Sequence, residues 1–189
     1  MITLRYGNTN TYFLDGLLID TDMPGTLPAL FGALKKNALT LADVRCVLAT
    51  HYHPDHMGLI GELTARGAGL LLIDKQLDSV HFSDPIFARQ KNLPYTPVCT
   101  ESAEIIRCAE SRSFLKGLGI DGEIIPTQSH SADGIALITD SGDCFAGDLE
   151  PPSFLGAYED NAPLKEDWDA IFALRPKRVF FGHCNSITL

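Results

Sequence analysis

The run Thr50-His51-Tyr52-His53-Pro54-Asp55-His56 puts four metal-capable side chains into six positions, in a chain with only six histidines. Its spacing constrains what can surround it. In an extended segment, side chains two apart face the same side. His51 and His53 can therefore hold one metal together. A residue before proline is pushed to extended backbone, which supports that geometry at His53. Past Pro54 the chain turns, and Asp55 and His56 can face a second metal. The run Val44 to Ala49 is apolar and reads as a buried strand ending at Thr50. Open α/β sheets place their sites just beyond strand carboxyl ends.

Composition narrows the class. A chain of 189 residues fits one domain, or one domain of two similar halves. Hydrophobic residues at 45% supply a core, and 21% charged residues speak against disorder. A net charge of -9 makes nucleic acid a poor partner, because phosphate contacts need Lys and Arg. The five cysteines include no C-x-x-C pair, which favours reduced thiols over a disulfide framework. Met1 to Arg5 shows no signal-peptide core. No apolar run nears the roughly 18 residues that span a bilayer. A soluble cytoplasmic protein is expected, with neither membrane nor nucleic acid as partner.

Along the chain, residues 2–5 and 10–20 read as strands, the second stretch folded at Asp15-Gly16. A helix is expected over 26–36, capped by Thr26, with Leu27, Leu30, Phe31 and Leu34 on its apolar side. Another is expected over 57–66, stopping at Gly67, then a strand at Leu70 to Ile73. Residues 74–115 carry helix-like pieces at 74–81 and 111–117 and lack a continuous pattern. Such insertions often line a pocket. Gly117 to Gly122 matches G-x-G-x-x-G, but it follows a helix and precedes a strand, so it reads as a helix stop. Strands return at 123–125, 135–138 and 144–146. A helix over 163–174, with Trp168, Ile171, Phe172 and Leu174 apolar, leads to a strand over 178–181. Both halves thus run strands, helix, strand, histidine, an order that suggests sheets in the core and helices outside.

Three later residues repeat the strand-end placement: His130, Asp148 and His183. Gly147 and Gly182 precede the last two and permit close backbone approach. Taken singly, each histidine reads as an ordinary hydrogen-bonded residue. Together with the first cluster they supply two metals with three ligands each and a shared carboxylate.

The pattern His51-x-His53-x-Asp55-His56, with His130, Asp148 and His183, resembles the metallo-β-lactamase superfamily. The likeness covers nearly the whole chain, from Thr11-Tyr12-Phe13-Leu14 through Ser129-His130-Ser131-Ala132-Asp133-Gly134 to Phe145-Ala146-Gly147-Asp148. It implies an α+β four-layer αβ/βα sandwich, with residues 1–189 as a single domain. It implies His51, His53 and His130 on one metal, Asp55, His56 and His183 on the other, and Asp148 bridging. Asp55 would also orient the attacking water, and Asp20 would support a ligating histidine. Asp22 and Ser129 stand where the family often has glycine. The chain ends six residues after His183, where glyoxalase II-like and lactonase-like relatives carry further helices.

Imidazole with carboxylate suits two Zn²⁺, and accepts Fe or Mn. A metal pair about 3.5–4 Å apart acidifies a bridging water and polarises a carbonyl. The expected activity is therefore hydrolysis of a small ester, thioester, lactone or related acyl substrate. Alternatives are a mononuclear iron persulfide dioxygenase using His51, His130 and Asp148, and a metal-binding or sensor protein without turnover. A nuclease is disfavoured by charge and a flavodiiron oxidoreductase by His53. Ser131, Tyr158 and Asn185 are candidate substrate contacts. His81 is read as surface or core, and Cys184 as pointing away from the metals. The oligomeric state stays open, a dimer included.

Overall fold

Strand β1 (Ile2–Leu4) pairs antiparallel with β2 (Thr11–Leu14), which turns back into β3 (Leu17–Ile19). The turn residues Asp15 and Gly16 take φ of 47° and 90°, the left-handed pair that a two-residue hairpin requires. The computed structural model describes residues 1–157 and 161–189. These divide into two units, Met1–Arg107 and Cys108–Leu189.

In the first unit, α1 (Leu27–Lys36) buries Leu27, Leu30, Ala33 and Leu34. Phe31, expected on that face, is 38% exposed. Thr26 precedes the helix, but its hydroxyl donates to Met23 O at 2.8 Å and does not cap it. The strand β4 (Cys46–Leu48) lies parallel to β3, with Ile19 level with Leu48. The expected helix over 57–66 begins earlier and is broken. It forms α2 (Pro54–Met57) and α3 (Ile60–Thr64). The cause is a competing set of partners. The carbonyl of His56 accepts from Thr21 N at 2.9 Å and Thr21 Oγ1 at 3.1 Å. Gly58 then sits where a Cβ would lie 2.4 Å from Asp22 O and 2.5 Å from Pro24 Cδ.

Strand β5 (Gly69–Ile73) continues the sheet in parallel. The stretch read as helix-like at 74–81 is a 3-10 turn at Asp74–Gln76 followed by turns, and a short α4 (Asp84–Ala88) comes later. An unforeseen strand β6 (Glu104–Ile106) closes a six-stranded sheet of order β1-β2-β3-β4-β5-β6. The core of this unit packs Leu18, Val47, Tyr52, Met57, Ile60 and Leu72, among others.

The second unit opens on α5 (Ser111–Leu118). Gly119 at φ 88° ends it, and Ile120 N reaches back to Leu115 O at 2.9 Å. That is a left-handed helix stop, as the misplaced G-x-G-x-x-G pattern implied. Strands β7 (Gly122–Pro126), β8 (Ile135–Thr139) and β9 (Asp143–Phe145) form an antiparallel meander. Helix α6 (Ala162–Ala173) then carries the chain to β10 (Arg178–Phe180), parallel to β9 with Phe145 level with Phe180. Asn161 caps α6 by accepting from Leu164 N at 3.2 Å. Trp168 and Ile171 are fully buried, whereas Phe172 is 40% exposed. A two-residue β11 (Ile187–Thr188) completes the order β11-β10-β9-β8-β7. Among the described residues, no helix is long and apolar enough to cross a membrane.

The break at Gly58 is testable. Gly58→Ala forces a methyl group against backbone and should cost about 1–3 kcal/mol. Gly32→Ala, in α1 with open space at its Cβ, should gain up to about 1 kcal/mol. Urea denaturation of both variants reads the difference; equal effects would refute the packing account.

Candidate metal centre

In the first unit the parallel pair β3 and β4 brings Asp20 beside Thr50. Asp20 N donates to Leu48 O at 2.9 Å, continuing the ladder past the strand end. Asp20 itself then takes φ of 56°, a left-handed conformation that a non-glycine residue adopts at some cost. Its carboxylate is 1% exposed. Oδ1 accepts from Thr50 N at 2.6 Å, and Oδ2 accepts from Thr50 Oγ1 at 2.9 Å. The same Oδ2 lies 3.0 Å from His56 Nδ1.

These bonds fix the histidines. His56 Nδ1 faces a carboxylate, so it carries the proton and Nε2 keeps its lone pair. Thr50 has one hydroxyl proton, donated to Asp20. Its oxygen, 3.3 Å from His51 Nδ1, therefore accepts from that ring nitrogen, and His51 also keeps its lone pair on Nε2. His51 Nε2 stands 3.0 Å from His53 Nδ1. Two imidazole nitrogens each about 2.0–2.1 Å from one tetrahedral ion stand about 3.3 Å apart, so the donor set fits a divalent metal. The ligand atoms of His51 and His56, and of Asp55 and His56, lie within 4.8 Å of each other. His53 is extended, at φ −69° and ψ 153°, as the residue before Pro54 should be.

Asp22, in the place where glycine was expected, does not disturb this corner. Its carboxylate accepts from Asn8 N and Met23 N, both at 2.6 Å. Gly7 makes room for it, since a Cβ there would fall 1.4 Å from Asp22 Oδ2.

In the second unit the parallel pair β9 and β10 plays the same part. Gly147 takes φ of 56°, and its carbonyl accepts from Gly182 N at 2.7 Å. Asp148 and His183 follow directly. Asp148 Oδ2 lies 3.3 Å from His183 Nε2 and 3.8 Å from His130 Nε2. His130 sits on the loop between β7 and β8. That loop is pinned by Asp167 of α6, only 6% exposed. Asp167 accepts from Gln128 N at 2.9 Å and Ser129 N at 2.8 Å. It escaped the sequence reading, although the signal was there: an acid on the same face as Leu164, Trp168 and Ile171. A cavity of about 230 Å³ is lined by His130, Asp148, His183, Leu149, Pro151 and Phe181. Cys184 lines it too. Partial burial, then the Asp148 charge, raise its thiol pKa.

The remaining candidates fall elsewhere. The Ser131 hydroxyl donates to the Asp133 carboxylate within its own loop. Asn185 is exposed, and Tyr158 lies outside the described residues. His81 is an exposed partner of Asp84, at 2.9 Å. All five cysteines are free. Burial pushes the Cys46 thiol up to about 11, which leaves it a poor nucleophile.

The metallo-beta-lactamase superfamily model matches residues 4–183, and the chain belongs to that superfamily. The beta-lactamase-like protein 2 homolog of Drosophila melanogaster is 27% identical over 186 residues, 95% of this chain. The chain spans 59% of the length of that protein. A metallo-beta-lactamase family protein from Thermus thermophilus superposes with a TM-score of 0.74 at 24% identity, over 95% of this chain and 70% of that one. TTHA1623, solved in a di-iron-bound form, gives 0.69 at 24% identity over 99% and 93%. The α+β fold is therefore that of the metallo-β-lactamases, as the sequence resemblance implied.

Asp167→Ala should free the amides of Gln128 and Ser129 and cost about 1–3 kcal/mol. Hydrogen exchange at those two amides should accelerate. Unchanged protection there would show that Asp167 does not hold the His130 loop.

Proposed function

We propose that the chain is a dinuclear zinc hydrolase of a small ester, thioester, lactone or related acyl substrate. In this reading the two units are halves of one domain. His51, His53 and His130 hold one ion, Asp55, His56 and His183 the other, and Asp148 both. The observation that carries it is the hydrogen-bond chain from Asp20 through Thr50, which puts the His51 and His56 protons on Nδ1 and keeps each Nε2 lone pair as a donor for a metal. Metal-ligating histidines characteristically donate their other ring N–H to a carboxylate or hydroxyl in this way. Membership of a superfamily made up mostly of metal-dependent hydrolases supports the same conclusion.

Bound divalent ions supply Lewis acidity, polarising a carbonyl and acidifying water. The chain supplies the rest. Asp20 and Thr50 keep the imidazoles oriented. Asp55 accepts a hydrogen bond from the attacking water and takes its proton. One water is consumed, the acyl C–O or C–S bond breaks, and the leaving alcohol or thiol departs with a proton. The five free cysteines accord with a reducing, cytoplasmic setting. A second reading exchanges zinc for iron: TTHA1623 was solved with two irons, and the His/Asp donor set accepts either metal.

Purified protein should carry two metal equivalents by elemental analysis. His51→Ala and Asp148→Ala should each reduce that number. Asp20→Asn should weaken metal binding about 10–100-fold, read by chelator competition. Asp55→Ala protein that retains metal yet loses hydrolysis of an ester and lactone panel marks a catalyst. Metal-loaded wild type inert on the whole panel would instead favour a binding or sensor role. Oxygen uptake on a persulfide by iron-loaded protein would favour the dioxygenase.

A further inference from the structure

Within residues 74–115, one large apolar side chain stands out of the core and against the histidine run of its own unit. It is Phe82, 55% exposed. Its ring lies 5.9 Å, centroid to centroid, from that of His53, tilted by 43°. Single exposed hydrophobics are ordinary on protein surfaces, but this one is held where it is. The fully buried Ser83 donates from Oγ to Tyr52 O at 3.0 Å, between the candidate ligands His51 and His53. Val80 and Phe87, on either side, belong to the apolar core. Phe82 N donates to Ser79 O at 2.9 Å, and Phe87 N to Ser83 O at 3.1 Å. The segment is thereby fixed to the histidine run, and it sets the ring beside His53 with much of its surface open.

A ring whose only task was to pack His53 would gain most by being buried. Leaving about half of Phe82 in water forfeits that gain unless something else covers it. A phenyl ring offers neither charge nor a conventional hydrogen bond, so it selects for apolar area and for shape. Another flat ring suits it best, stacking offset or edge-to-face at centroid separations of about 4.5–7 Å. A saturated ring of the same size brings the area without the quadrupole.

We infer that Phe82 is a specificity-determining residue that receives a flat aromatic ring of the substrate, carried close to the reacting carbonyl. This inference rests on the hydrolase reading, in which His53 holds an ion, and narrows its substrates to aryl-bearing esters and thioesters. Hydrolysis of such a thioester consumes one water, breaks the acyl C–S bond and releases a carboxylic acid and a thiol, one of which bears the ring. Phe82 exchanges no proton and forms no bond in that step. It holds the ring.

The test uses the zinc-loaded full chain and two pairs of thioesters. S-Ethyl phenylethanethioate and its cyclohexyl counterpart carry the ring on the acyl side. S-Benzyl ethanethioate and its cyclohexylmethyl counterpart carry it on the thiol. In one pair or the other, the aryl-over-cyclohexyl ratio of kcat/KM should exceed that of Phe82→Ala by about fivefold, with the loss falling on KM. Phe82→Leu, apolar without being aromatic, should behave as Phe82→Ala does, and Phe82→Tyr should keep the wild-type ratio. Chelator competition should give Phe82→Ala the zinc affinity of the wild type. Calorimetry with phenylacetohydroxamate and N-benzylacetohydroxamate, each against its cyclohexyl counterpart, reads binding without turnover. It should show an aryl preference of about fivefold in one pair, lost in Phe82→Leu. If no thioester is hydrolysed but that preference holds, the hydrolase reading falls and the Phe82 assignment stands. An aryl preference that survives Phe82→Leu, or that is absent from all four pairs, overturns the assignment. A fall in zinc affinity in Phe82→Ala overturns it in favour of a residue that only orients His53.

Discussion

The carboxylate of Asp20 holds the first unit's candidate ligands in order. It is buried, in left-handed backbone, and surrounded by three donors: Thr50 N, Thr50 Oγ1 and the His56 ring. A buried carboxylate is costly unless paired, so the three donors are a condition of its presence. In return it fixes two imidazoles at once, one directly and one through the Thr50 hydroxyl. Thr21, the next residue, takes the His56 carbonyl and breaks the helix that the sequence pattern would otherwise continue. Two consecutive residues at the end of one strand thus orient a ring and terminate a helix.

The second unit reaches a similar arrangement from the opposite direction. Each unit has a parallel strand pair joined through a helix, β3 with β4 and β9 with β10. Parallel pairing in register brings two carboxyl ends to the same level, and residues just past those ends meet. In one unit that juxtaposes Asp20 with Thr50 and the histidine run. In the other it juxtaposes Asp148 with His183. His130 alone needs a different device, because its loop joins antiparallel strands. The Asp167 clamp from α6 supplies it.

Most strand-end positions were legible in the sequence because apolar runs end at Ile19, Ala49, Ala146 and Phe181, at or one residue past the observed strand ends Ile19, Leu48, Phe145 and Phe180. What was not legible depended on tertiary partners. The helix after the histidines was expected to start at Met57, since nothing local shows that Thr21 will claim the His56 carbonyl. Phe31 and Phe172 sit at helix positions where periodicity alone cannot tell an edge of the apolar stripe from its centre. Strands β6 and β11 are short edge strands with exposed residues such as Ile105, so they lack the hydrophobic signature of a buried run. Asp22 looked like a departure from the expected glycine. Its compensation, Gly7, lies fifteen residues earlier in a loop that carries no pattern of its own.

The chain's acidity then sorts into two kinds of carboxylate. Asp20, Asp22 and Asp167 are buried and accept from main-chain amides, so their charge organises backbone geometry. Asp143 is likewise engaged, by Arg178 at 2.7 Å. Asp148 and Glu150, by contrast, line cavities. Charges of the first kind cannot be removed without loosening a loop, whereas those of the second kind present a negative field to whatever enters. The same excess of acid that disfavours nucleic acid therefore favours divalent cations at the histidines.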